Sequence, residues 1–230
     1  MSRRLVNEKI LQEVEQKRSI FQIEAEKGKH FNFEEIYGNE QPVVLEIGIG
    51  RGEYLVGQSL LDWQHNYLGI EVNKERITYT LRQLQPRRHC NVRVLDLFVD
   101  DSLIEYIPAG SIRKVCIIHP DPWPKRRHNQ RRLIQHKFLD VLYQILEERG
   151  VLEIQTDHAE YAQWILRHFA ERSDFAPIRG GSTKIPRHGH IVTYFEEKKM
   201  REGNYPVYIS YRKVEKQPET GSEDGLEETE

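Results

Sequence analysis

From residue 43 onward the chain alternates short apolar runs with stretches of helical periodicity, and this alternation limits the possible folds more than any other feature of the sequence. The runs are VVLEI (43–47), NYLGIEV (66–72), NVRVL (91–95), KVCIIH (114–119) and GVLEIQ (150–155). Their nearly continuous apolar character is that of strands covered on both faces, as in a parallel sheet. The spacing predicts one helix over about 129–148, with Ile134, Phe138, Leu142, Ile145 and Leu146 on one face, Asn129 as its cap and Gly150 as its stop. A second helix is predicted over about 158–171, with Asp157 and Glu160 spaced as a capping box. After a glycine-containing basic loop (179–190), IVTYFEEK and YPVYISYRKV alternate like a closing antiparallel pair. The expected fold class is α/β: an open, mostly parallel sheet with helices on both faces and a C-terminal antiparallel hairpin.

The chain divides into an N-terminal helical extension (1–41, with one weakly amphipathic helix around 5–18), a catalytic-sized domain (42–215) and an acidic tail (216–230) of disordered composition. Removing ETGSEDGLEETE (219–230) leaves a mild excess of bases over acids. Two distant cysteines, Cys90 and Cys116, argue against a disulfide framework or a thiolate zinc site. Ten histidines without an HExxH spacing add no metal site, so none is expected. No apolar run is long enough to cross a bilayer, and the charged N-terminus does not read as a secretory signal, so a cytoplasmic protein with no membrane partner is expected. Monomer and homodimer both stay open.

The first apolar run leads directly into EIGIGRGEYL, where Gly48, Gly50 and Gly52 permit a tight turn before a helix beginning near Arg51. Position 53 is glutamate, so the loop is GxGxG and not the dinucleotide fingerprint GxGxxG, which weakens a nicotinamide reading. Glu71 ends the next run about 20 residues later, placed to accept hydrogen bonds from ribose hydroxyls. Glu46 stands inside an apolar run, where an unpaired carboxylate is costly to bury. An acid beside the loop opposes a pyrophosphate but suits the ammonium and sulfonium of S-adenosylmethionine; the alternative is a salt bridge to a nearby Lys or Arg. Asp96 either reaches an adenine amine or caps the turn near 101–106.

The run KVCIIH delivers HPDPWPKRRHNQRR at its C-terminal end, where open α/β sheets build their sites. Three alternating prolines stiffen a loop carrying Asp121, Trp123 and Lys125. Six Lys/Arg residues fall between Lys125 and Lys137, with no acid from Pro122 through Leu139. Arg131 and Arg132 are expected in the first helical turn, where cations oppose the macrodipole, so a docking polyanion explains them better than stability does. A solvated basic face is the plainer alternative. Trp123 is either a stacking surface for a base or a packing anchor.

Through EIGIGRG, GIEV, PDPWPKRRHNQRR and TDHAEYA, over roughly residues 40–195, the chain resembles the tRNA (guanine-N7-)-methyltransferases. The resemblance implies a Rossmann-like class I methyltransferase that moves a methyl group from S-adenosyl-L-methionine to N7 of a guanine in tRNA, in the variable loop at position 46. Methylation of another RNA atom and non-catalytic RNA binding are the rival functions. By the resemblance Glu46, Gly48, Gly50, Gly52, Glu71, Asp96 and Asp121 meet the cofactor, with Asp121 the catalytic residue. Lys125, Arg127, His128, Asn129, Arg131, Arg132, Asp157, Thr183 and Lys184 meet the tRNA; Asp157 also suits a simple helix cap. The sequence departs from the family pattern at His119, usually phenylalanine, and at TKIP (183–186), where Pro186 replaces an expected glutamate.

Overall fold

The computed structural model describes residues 3–187 and 189–215, with side chains from residue 9 onward. The tail predicted at 216–230 lies outside the described residues. In chain order the elements are α1 (Arg3–Phe21), β1 (Gln22–Ile23), α2 (Phe33–Tyr37), β2 (Val43–Ile47), α3 (Glu53–Leu61), β3 (Asn66–Glu71), α4 (Lys74–Gln83) and β4 (Val92–Asp96). A 3₁₀ turn (Asp101–Glu105), β5 (Ile112–Ile118) and a second 3₁₀ turn (Arg126–Arg131) follow. Then come α5 (His136–Ile145), β6 (Leu146–Thr156), α6 (Ala159–Ala170), β7 (Phe175–Thr183), α7 (Tyr194–Arg201) and β8 (Val207–Lys213).

The strands form one sheet in the order β1-β4-β3-β2-β5-β6-β8-β7, parallel except where β8 inserts antiparallel between β6 and β7. The chain winds outward from β2 through β3 to β4, then returns to β5 on the other side of β2. The β2/β5 boundary is therefore the topological switch point, the place where such sheets open a crevice at their carboxyl ends.

The period-two alternation of strand side chains builds a core on each face. Val43, Leu45 and Ile47 pack with α5 and α6 residues such as Leu142 and Ile165, while Val44 and Cys116 pack with Leu55 of α3 and Leu81 of α4. α1 lies on the latter face, burying Val14 and Phe21, and β1 extends the sheet beyond β4. Among the described residues no helix is long and apolar enough to cross a membrane.

Three local expectations are corrected. The helix predicted from 129 begins at His136; a 3₁₀ turn occupies 126–131, and Leu146 rather than Gly150 ends the helix. Asn129 caps nothing: its side-chain Oδ1 has no partner, and only its backbone carbonyl is used, by Arg132 N–H and the Gln135 side chain. The segment IVTYFEEK, read as a strand, is mostly α7: Thr193 accepts the N–H of Glu196 as its cap, with Glu196 and Glu197 in the first turn and Lys198, Lys199 and Arg201 in the last. β8 pairs antiparallel with β6 and, on its other edge, with β7, which runs through part of the segment read as a basic loop, with Gly180 and Gly181 at φ of 76° and 85° where the register shifts. The α6 cap is His158, whose ring accepts Tyr161 N–H, and not Asp157.

Candidate active site

Two loops meet at the switch point, one from β2 and one from β5. In the first, Gly48, Gly50 and Gly52 all lie at positive φ (78°, 55° and 77°), conformations that other residues adopt only with strain. A Cβ at Gly48 or Gly50 would meet nothing within 4 Å, so the loop presents open backbone. One at Gly52 would stand 2.5 Å from the Thr80 side chain, so only glycine lets α3 approach α4 there.

Glu46 is 2% exposed and, two residues after Val44 on the strand, shares its α3 face. The Leu55 N–H reaches its carboxylate, but Oε2 has no partner, and among the described residues no cation pairs with it, so the salt-bridge alternative fails. Burial, reinforced by the nearby Glu71 carboxylate, pushes its pKa well above the usual range. Glu71 is held by backbone: Gly50 N–H donates to Oε2, and Val72 and Asn73 N–H to Oε1, each at 3.0 Å. Arg76, 3.7 Å away, balances part of its charge. Asp96 ends β4 beside Glu71, in register with it. The following turn is capped by Asp100, which leaves Asp96 without that role.

These features fit S-adenosylmethionine. An orphaned buried carboxylate oxygen suits an ammonium, and two acids at neighbouring strand ends suit hydroxyl or amine donors.

On the other side, Asp121 is exposed and makes no hydrogen bond among the described residues. The loop that carries it is held from beneath by Arg132, whose side chain is fully buried. Its Nε donates to the Pro122 carbonyl at 2.8 Å and Nη2 to the Trp123 carbonyl at 3.4 Å and to Glu160 at 3.1 Å, while the guanidinium stacks on Tyr161 and Trp164. The expectation that Arg132 contacts RNA is therefore overturned: it faces the interior, and neither Arg131 nor Arg132 lies in a helical first turn. Lys125, Arg127 and Arg131 are exposed. Arg131 covers one face of Trp123 at 5.0 Å, and His128 meets that ring edge-on. Asn129 is half-buried with an unpartnered Oδ1.

The third wall joins Asp157, expected from the resemblance to meet the tRNA, to His119 and α7, which no sequence expectation placed there. Asp157, beyond β6, accepts a hydrogen bond from His119 Nδ1 at 3.1 Å. His119 is in turn edge-on to Phe195 of α7, and Tyr194 N–H donates to Glu53 Oε2 at 2.8 Å. Glu53, the residue that breaks the dinucleotide fingerprint, thus ties α7 to the glycine loop. The next residue, Glu196, is 1% exposed and is bonded by His190, Tyr208 and Gln155, which hold its pKa down to about 2 despite burial. The Thr193-x-x-Glu196 spacing is itself a capping-box signal that could have drawn attention to α7.

Thr183 borders this wall, in a cavity of about 210 Å³ that Gln155, His190 and Tyr208 also line. Tyr54, Cys116 and Arg187 line it too, the Thr183 hydroxyl accepts Ile185 N–H, and Lys184 donates to the Tyr205 carbonyl. Among the described residues no group of three or more His, Cys, Asp or Glu is gathered as a metal ion would require.

A profile of the family described as "Putative methyltransferase" matches residues 40–208. The tRNA (guanine-N(7)-)-methyltransferase of Alkalilimnicola ehrlichii is 34% identical over 82% of this chain and 79% of its own length. That of Halorhodospira halophila is 34% identical over 77% of each. The solved 16S rRNA methyltransferase KamB has the same fold, with a TM-score of 0.59, at 11% identity over 83% of this chain and 99% of its own. With the crevice, the loops and the sequence kinship in agreement, the chain belongs to the tRNA (guanine-N(7)-)-methyltransferase family.

Proposed function

We propose that the protein transfers the methyl group of S-adenosyl-L-methionine to N7 of a variable-loop guanine in tRNA, acting in the cytoplasm. The observation that carries the reading is the switch-point crevice. An orphaned buried Glu46 and a backbone-held Glu71 lie beside an open glycine loop on one side, and a proline-stiffened Asp121 loop flanked by exposed cations lies on the other. Glu46, Gly48, Gly50, Gly52, Glu71 and Asp96 hold the cofactor, with the Glu46 carboxylate toward its ammonium. Lys125, Arg127 and Arg131 meet tRNA phosphates, with His128 and Asn129 beside them, and Asp157 meets the base.

Bound S-adenosylmethionine supplies an electrophilic methyl on a sulfonium. Guanine N7 carries a free lone pair on its major-groove edge, so it needs no general base. As the N–C bond forms the C–S bond breaks, leaving S-adenosylhomocysteine and a cationic base. What this chain contributes is alignment of the two reactants and a negative charge for the cation that develops on the base. Asp121 supplies that charge, on a loop whose carbonyls Arg132 fixes.

The test is methyl transfer from labelled S-adenosylmethionine to unmodified tRNA, followed by nucleoside analysis. Label in N7-methylguanosine is expected, with an Asp121→Ala enzyme at least 100-fold slower, on the order of the loss of one electrostatic contact in such a site. Label in another nucleoside would reassign the acceptor atom, and near-normal turnover by Asp121→Ala would remove that residue from the chemistry.

A further inference from the structure

His119 occupies an unusual position. It follows β5 at the switch point with φ of 51°, a left-handed conformation that costs a non-glycine residue energy and that collects at functional sites. Its side chain is 7% exposed, and both ring nitrogens are engaged. Nδ1 lies 3.1 Å from Asp157 Oδ1, and Nε2 lies 3.0 Å from Gln155 Nε2. The backbone is held too, His119 N–H donating to the Gln155 carbonyl at 2.8 Å.

The direction of each bond follows from the groups available. Glu196 is a carboxylate, an acceptor only, and the Gln155 side chain lies near enough to help hold its pKa down, an effect that calls for the amide NH₂ on that side. The same NH₂ faces His119 Nε2, which must then be a bare acceptor. The single proton of the neutral ring is therefore on Nδ1 and is donated to Asp157. Protonating Nε2 would set donor against donor, and turning the amide over would set its oxygen against Glu196. Hydrogen bonds thus link Asp157 through His119 to Gln155, whose amide acts in turn on Glu196, where His190 and Tyr208 anchor α7.

We propose that His119 is a positioning residue for the acceptor base: as the neutral Nδ1–H tautomer it orients the Asp157 carboxylate and couples it to the seating of α7. The inference rests on the proposed role of Asp157 toward the base. The groups facing the ring are Asp157 from the β6–α6 junction, Glu196 and Phe195 from α7, and His190 from the preceding loop. Desolvation outweighs the two carboxylates and keeps the imidazole below its usual pKa. The coupled arrangement therefore persists at neutral pH and is lost only on acidification.

Two variants separate positioning from space filling. His119→Phe keeps a ring against Phe195 and removes both hydrogen bonds, whereas His119→Asn keeps an N–H donor toward Asp157 and cannot titrate. For the wild-type protein, kcat/KM for tRNA should fall on acidification with a midpoint below 6.5, the ordinary imidazole value. His119→Phe should raise KM for tRNA about tenfold, the equivalent of one hydrogen bond to a charged group, with kcat changed by less than about twofold. His119→Asn should restore KM to within about threefold of wild type and lack the acid limb. Cofactor affinity, measured by calorimetry, should be unchanged in both.

A His119→Phe enzyme with wild-type KM and an unaltered acid limb would overturn the proposal. Imidazole ¹⁵N resonances decide the same point without turnover: Nδ1–H with a bare Nε2 supports it, and the Nε2–H tautomer at neutral pH overturns it. Should the wild-type protein methylate no tRNA, the functional reading fails, while the resonances still decide the arrangement of these hydrogen bonds.

Discussion

A Glu46→Gln protein should melt at a higher temperature than wild type when no cofactor is present. The substitution removes a buried carboxylate whose Oε2 has no partner, a gain on the order of 1 kcal/mol, and it should weaken S-adenosylmethionine binding in calorimetry. Unchanged affinity would take Glu46 out of the cofactor site. Arg132 and Arg131 make the complementary pair. Arg132→Met removes donors to the Pro122 and Trp123 carbonyls and a guanidinium stacked on two rings, so a loss of about 3 kcal/mol is expected by thermal melting. Arg131→Ala touches an exposed side chain and should change stability by less than about 0.5 kcal/mol. It should instead lower tRNA affinity and reduce the slope of log affinity against log salt by about 1. Adjacent arginines in one motif thus divide into a support and a contact, and equal stability losses in the two variants would contradict that division.

Among the elements, α7 is held through one buried carboxylate, Glu196, bonded by His190 and Tyr208. His190, Gln155 and Tyr208 hold the Glu196 pKa at about 2, against an ordinary value of 4.5. The folded state binds its proton more weakly than the unfolded chain, so the stabilisation is complete above pH 4.5 and is lost as pH falls towards about 2. Wild type should therefore out-melt Glu196→Gln by a constant margin near neutrality, and the margin should close across that acid window. A margin independent of pH would mean that the carboxylate charge has no part in seating α7. The sequence pattern misjudged this same element. IVTYFEEK alternates well enough for a strand, but Thr193 caps a helix there and the charges follow its dipole, while the strands beside β8 are β6 and β7, from earlier in the chain. Alternation over eight residues does not separate a short strand from two helical turns, so tertiary pairing decides.

For the whole molecule, ligand binding to the folded state alone should raise its stability, by about 2.7 kcal/mol at 100 times the dissociation constant, or roughly 5–10 °C for a chain of this size. S-adenosylmethionine should produce this shift in wild type and a smaller one in Glu46→Gln; an equal shift in both would separate Glu46 from cofactor binding. The parallel sheet, the glycine loop and the Asp121 loop were legible in the sequence because each is specified locally. Uninterrupted apolar runs need cover on both faces, three glycines need positive φ within five residues, and alternating prolines forbid helix. Which way a side chain faces is not local information. Arg132 reads as surface cation until Tyr161 and Trp164 of α6 close over it, and Asp157 reads as a helix cap until His119, 38 positions away, reaches it from the neighbouring strand end. The sequence by itself determined the sheet and the two loops of the crevice. The tertiary structure alone decided the third wall, because burial and hydrogen-bond partners there come from β5, β6, α7 and β8, brought together only when the sheet is assembled.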